Sequence, residues 1–243
     1  MLQIKSPMAY RLAVLAFFLG LMAQSYPAWA VEFKPSSNLG RPGNREGAAT
    51  RGGCGPVSGP DLTALVPVSD MGLTTASYPT FYWYMPQTLC KLASFTLYAV
   101  EAQGKQETPV YQSTFRITGN SGLASFTLPA DAMLPSLETG KDYRWELTLI
   151  LNPEEPSGNK SVVGWISRVA PGPDLVAKLA KTKLEDRFSI YAEAGLWYDA
   201  LKELADLRRD RPGDPGLLTQ WMELLKSKAV QLDAIANQPS IHP

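Results

Sequence analysis

The stretch Leu137-Glu138-Thr139-Gly140-Lys141-Asp142-Tyr143-Arg144-Trp145-Glu146-Leu147-Thr148-Leu149-Ile150-Leu151 decides the fold. Tyr143, Trp145, Leu147 and Leu149 recur at period two, with Arg144, Glu146 and Thr148 between them. That is the pattern of a strand with one face in a core and the other in water. Leu137, Gly140 and Tyr143 stand three apart just ahead of it. This is the spacing of a tyrosine corner, in which the hydroxyl bonds to upstream backbone at the edge of a sandwich.

Working outward, strand-like runs cover Leu62–Pro67, Thr80–Met85, Leu92–Glu101, Val110–Thr118, Leu123–Leu128, Tyr143–Leu151 and Ser161–Val169. About seven strands over roughly a hundred residues, with no helical period among them, predict an immunoglobulin-like antiparallel β-sandwich over residues 61–170. Its core face is expected to hold Phe95 with Leu97, Phe115 with Ile117, Phe126 with Leu128, and Tyr143, Trp145 and Leu147. Gly119-Asn120-Ser121-Gly122 and Pro156-Ser157-Gly158-Asn159 supply the Gly and Asn that tight turns require.

After Pro171-Gly172-Pro173-Asp174 the period becomes helical. Asp174 is expected to cap a first helix, and Thr182 with Glu185 to form a capping box. Leu184 to Arg211 reads as two helices broken near Gly195, and Asp214-Pro215 starts a third. The expected architecture is therefore α+β and multidomain: the sandwich, then a small α-helical domain over 174–230 and a disordered tail over 231–243. Residues 31–60, dense in Gly, Pro and Ser, read as a flexible leader because they offer too little apolar surface to offset their ordering entropy.

The first thirty residues have the layout of a secretory signal. Lys5 and Arg11 precede the apolar run Leu12–Met22, and Ala28-Trp29-Ala30 presents small residues at both cleavage-defining positions. Cleavage is expected between Ala30 and Val31, with an uncleaved anchor as the alternative, and no membrane span after signal removal. Two cysteines, Cys54 and Cys90, would then sit in an oxidising compartment, where an isolated pair is more often bridged than free. Zinc is the rival reading, but two thiols without histidine partners do not complete a site. Lys plus Arg equals Asp plus Glu at 23 each, so no net field draws in nucleic acid or an anionic membrane.

Chemistry is scarce. The single histidine, His242, stands next to the last residue, which argues against Ser-His-Asp and Cys-His catalysis and against histidine-based metal sites. No phosphate loop, dinucleotide fingerprint or calcium loop occurs. We therefore expect no catalytic residue, no cofactor and no metal. Paired carboxylates are the residual enzymatic option, yet Glu154 and Glu155 read as a solvated hairpin tip, and Glu193 and Asp199 as surface or capping groups. Arg208, Arg209 and Arg211 suit the negative end of a helix dipole.

The run Phe81-Tyr82-Trp83-Tyr84 offers the one candidate surface. Side chains alternate along a strand, so one pair must leave the core unless something covers it. Exposed, Tyr82, Trp83 and Tyr84 would stack on sugars or anchor a protein partner. Covered, they would form a seam under the helices.

Within the helical part, Tyr191, Gly195, Trp197, Ala200, Leu204, Leu207 and Pro212 resemble one tetratricopeptide repeat, although Phe188 and Leu207 stand where that family prefers smaller residues. A lone repeat must bury its apolar face against a neighbour.

A broader resemblance rests on Leu62-Thr63-Ala64-Leu65-Val66-Pro67, Tyr78-Pro79-Thr80-Phe81-Tyr82-Trp83-Tyr84, Val110-Tyr111-Gln112-Ser113-Thr114-Phe115, Gly140-Lys141-Asp142-Tyr143-Arg144-Trp145, Gly164-Trp165-Ile166 and 191–201. In these blocks the chain is similar to a cyanobacterial secreted family catalogued as a domain of unknown function. The resemblance implies a periplasmic or envelope setting and carries no catalytic residue with it.

The expectation is thus a secreted, non-enzymatic protein of the periplasm or cell envelope. Its partner is expected to be an envelope protein; the alternative is a glycan-binding module for cell-wall or extracellular polysaccharide.

Overall fold

The computed structural model describes residues 31–35, 44–47, 53–56, 58–69, 71–101, 107–131 and 134–241. The expected signal segment, with Ala30, lies outside them. Among the described residues eight strands precede four α-helices. The strands are β1 (Thr63–Ala64), β2 (Met71–Thr74), β3 (Thr80–Met85), β4 (Leu92–Val100), β5 (Glu107–Arg116), β6 (Gly122–Thr127), β7 (Asp142–Ile150) and β8 (Lys160–Arg168). They form two sheets, ordered β1-β3-β6 and β2-β8-β7-β4-β5, which is a β-sandwich followed by a helical part.

The stretch that decided the fold is β7, where Tyr143, Trp145, Leu147 and Leu149 are buried at strict alternation. The tyrosine corner forms as its spacing predicts, with the Glu138 N–H donating to the Tyr143 hydroxyl at 2.9 Å. Phe95, Phe81 and Trp145 meet at ring separations of 4.9 to 6.1 Å and make the centre of the sandwich. Gly164 lies opposite Trp145, and a Cβ there would stand 2.5 Å from the indole, so only glycine leaves room for that ring.

Two strands differ from expectation. The run Leu62–Pro67 yields only the two residues of β1, because the Val66 N–H turns back to the Ala64 carbonyl at 2.9 Å and leaves the ladder. Strand β2 was not foreseen. It pairs in parallel with β8, and its four residues are all buried, so no alternation marks it.

The helices are α1 (Pro173–Lys181), α2 (Arg187–Glu193), α3 (Trp197–Asp210) and α4 (Pro215–Lys226). Asp214 caps α4 as its position predicts, accepting from the Gly216 and Leu217 N–H groups. The other two expected caps are not formed. Gly172 is the N-cap of α1, with Asp174 in the first turn. Thr182 instead ends that helix as its C-cap, its hydroxyl donating back to the Lys178 carbonyl, and the turn that follows at Leu184–Asp186 starts from Lys183 with no side-chain cap.

The expected division into two domains is also modified. One contiguous buried cluster runs from Phe95 and Trp145 through Trp197 and Tyr198 to Trp221 and Leu225, so the helices complete the sandwich core instead of owning one.

The tail and leader are ordered where described. Leu232, Ile235 and Ala236 are buried, and Ser240 bridges Leu123 in parallel, so residues 231–241 are not the expected disordered tail. Apolar groups spaced along a turn-rich segment found a sheet edge to pair with. In the leader, Val31 and Phe33 are buried, and Phe33 sits edge-on to Trp197 at 5.1 Å. Arg45 donates to the Val230 and Gln231 carbonyls at 2.6 and 3.0 Å. Cys54 and Cys90 are joined by a disulfide, fastening the leader to the turn after β3.

Candidate functional site

Helix α3 meets the sandwich at both of its ends. At its start, Leu196 turns into the helix and places Trp197, Tyr198 and Asp199 in successive positions. The Trp197 Nε1 donates to the Leu65 carbonyl at 2.8 Å. The Tyr198 hydroxyl accepts from Trp145 Nε1 at 2.7 Å and donates to the Trp165 carbonyl at 3.0 Å. Burial pushes that phenol well above its ordinary range. Gly72 on β2 allows this approach, since a Cβ there would lie 2.5 Å from the Tyr198 ring. Asp199 accepts from the Thr75 N–H and hydroxyl at 2.9 and 2.8 Å. Burial raises its pKa despite those bonds, which work in the opposite sense.

At its far end α3 crosses the outer face of the three-stranded sheet. The alternation of β3 sends Phe81 and Trp83 inward, and Tyr82 with Tyr84 outward. Tyr82, Trp83 and Tyr84 are 7%, 0% and 2% exposed. The candidate stacking surface on these three rings is therefore corrected. The sheet's outer face supplies the apolar floor that helix α3 needs, and what forms is a covered seam. Burial, reinforced by the nearby Asp206 charge and opposed by Arg209, lifts the Tyr82 phenol above its ordinary range.

The cover is incomplete. A groove of about 660 Å³ runs between Tyr82 and Ser125 on the sheet, Arg208 and Trp221 on the helices, and Pro239 and Ile241 in the tail. Arg209 and Arg211 line it too, but each is engaged. Arg209 pairs with Asp206 at 2.8 Å and lies 3.7 Å from Asp210, while Arg211 lies 3.5 Å from Asp214 and 3.9 Å from Glu185. Arg208 differs. Its guanidinium lies 4.5 Å from the Trp221 ring centroid, no carboxylate among the described residues pairs with it, and burial pulls it below the ordinary guanidinium range. It remains a cation at any physiological pH. The Trp221 indole N–H, buried beside it, has no acceptor among the described residues.

The carboxylates weighed for hydrolysis are elsewhere. Glu154, Glu155 and Glu193 are exposed, Asp199 is spent on Thr75, and none of the four lines the groove or a smaller notch of about 120 Å³ beside Leu97 and Tyr143. No group of three or more His, Cys, Asp or Glu side chains stands together to hold a metal among the described residues. No helix among them is long and apolar enough to cross a membrane.

Sequence reasoning assigned the arginine cluster to the helix dipole and missed the groove. Arg208 and Trp221 stand on different helices, so no local spacing could pair them.

No curated protein matches the chain. Among solved structures it is similar to the solution structure of the fn3 domain of human collagen alpha-1(XX) chain, at 13% identity over 51% of this chain and 94% of that one, with a TM-score of 0.27. That likeness is too slight to argue from, and the sandwich stands on its own strand order. The family model for Domain of Unknown Function (DUF928) matches residues 46–240, a span holding both sheets, all four helices and most of the tail that borders the groove, and on that match the chain belongs to this family.

Proposed function

We propose that the chain is a secreted, non-enzymatic protein-interaction module of the periplasm or cell envelope, and that the groove beneath α3 and α4 is its docking site. The observation that carries this reading is Arg208, a half-buried cation set over Trp221 with no carboxylate partner among the described residues, in a groove large enough for several side chains. Burying a charge costs free energy that a partner is needed to recover. The signal-like first thirty residues and the Cys54–Cys90 bridge support an extracytoplasmic setting.

The test is capture from a native envelope fraction with residues 31–243, carrying a photo-crosslinking side chain at Ser125 in the groove or, separately, at Thr108 on the opposite sheet. One protein crosslinked through Ser125 and not through Thr108 is the expected result. Polysaccharide recovered by both proteins would move the function to glycan binding. No specific capture by either would overturn the interaction reading.

A further inference from the structure

The floor of the groove includes a free sheet edge. Strand β6 is the last in its sheet and pairs on one side with β3. On its other side, the Leu123 N–H donates to the Pro239 carbonyl at 2.7 Å, and the Ile241 N–H donates to the Leu123 carbonyl at 2.8 Å. Leu123 thus turns both backbone groups outward, and at period two Ser125 and Thr127 turn theirs the same way. Beyond Leu123 no strand pairs with that edge among the described residues. An open row of N–H and C=O groups is a template for another strand. The protein's own tail already uses it at Leu123, in parallel.

We propose that this groove takes an extended peptide segment bearing an aspartate or glutamate, whose main chain pairs with β6 at Ser125 and Thr127 and whose carboxylate meets the Arg208 guanidinium. This rests on the interaction reading above and names the partner's chemistry. Two observations select a peptide. A backbone edge with a two-residue repeat is matched by another backbone and by neither a sugar nor a free anion. Among the described residues that line the groove, Arg208 is the one cation without an acid, and its planar guanidinium matches a carboxylate through two parallel hydrogen bonds. Competing anion sites nearby are filled, since Asp214 already occupies the N–H groups at the start of α4 and Arg209 and Arg211 have acids of their own.

The experiment uses uniformly ¹⁵N-labelled residues 31–243 with the disulfide intact, titrated with the peptide Ac-Thr-Val-Glu-Val-Thr-NH₂. The comparison probes are its glutamine counterpart, the same peptide N-methylated along its backbone, and inorganic phosphate. Shifts at the Ser125 and Thr127 amides and the Trp221 indole are expected, with the glutamate peptide about tenfold tighter than glutamine, one charge-assisted contact's worth. N-methylation should abolish binding, and Arg208→Gln should bring the glutamate and glutamine peptides to equal affinity. Equal affinities in the unsubstituted protein, shifts confined to other surfaces, or phosphate binding as tightly as the glutamate peptide would each overturn the proposal. Because Arg208→Gln leaves the edge intact, residual Ser125 shifts in that variant report folding independently. A protein crosslinked only through Thr108 in the capture experiment would refute this site while leaving the chain an interaction module.

Discussion

The two ends of α3 pose the same packing problem and answer it differently. Both press aromatic side chains against the sandwich. At the N-terminal end the described polar atoms are matched: Trp197 to Leu65, Tyr198 to Trp145 and Trp165, Asp199 to Thr75. At the C-terminal end, among the described residues, Arg208 has only a ring beneath it, the Trp221 N–H has no acceptor, and a groove stays open. Buried polar groups in native proteins are almost always satisfied, so on the interaction reading the unmatched end is the one that a partner would complete.

Substitutions can break that contrast, and the largest effect should come from the matched end. Trp197→Ala empties a fully buried site and strands the Leu65 carbonyl, and should cost about 3–5 kcal/mol in urea unfolding. A loss below about 1 kcal/mol would mean that this end is not the anchor. Reducing the Cys54–Cys90 bridge should cost roughly 3 to 4 kcal/mol by loop entropy, read as a shift of the unfolding midpoint with and without reductant. Since the bridge touches neither end, the difference between them should survive its loss.

Tyr198→Phe keeps the ring but leaves the Trp145 N–H without its acceptor in the core, at about 1–3 kcal/mol. The Asp199 carboxyl has a raised folded pKa, so its contribution is fully present below the ordinary aspartate value of about 4 and is lost as pH rises through the folded one. Asp199→Asn should therefore flatten the dependence of stability on pH above about 4. Parallel pH curves for the two proteins would contradict it. The smallest effect belongs to the unmatched end, where Arg208→Gln should change stability by less than about 1 kcal/mol, the worth of a cation–π contact.

What was legible in the sequence follows the physics of each element. β7 announced itself because one face is wet and the other dry, and Tyr143 marked the corner ahead of it. α4 was legible from Asp214 and Pro215, a local cap. β2 was not, because burial on both faces erases the alternation that would reveal four residues. The tail escaped because Leu232, Ile235 and Ala236 are held by contacts far away in sequence, and turn-rich composition resembles disorder. The bridge was legible from the cysteine count together with the signal-like N-terminus that implied an oxidising compartment. Of the candidate site, Tyr82 was identified with its exposure left open between a stacking surface and a covered seam, since what covers a strand is decided by helices more than a hundred residues on. Arg208 was assigned to a dipole because its lack of an acid is a fact of three dimensions.

The hold of Arg45 on the Val230 and Gln231 carbonyls spans 185 and 186 residues, and it bears on the order of assembly. Contacts between such distant positions carry the greatest loop-closure entropy and slow the search for the native state. The latch between leader and tail closes only after the whole chain is available, whichever end is made or delivered first. Until then the floor of the groove lies uncovered, and the edge of β6 is open along its full length to any strand that reaches it.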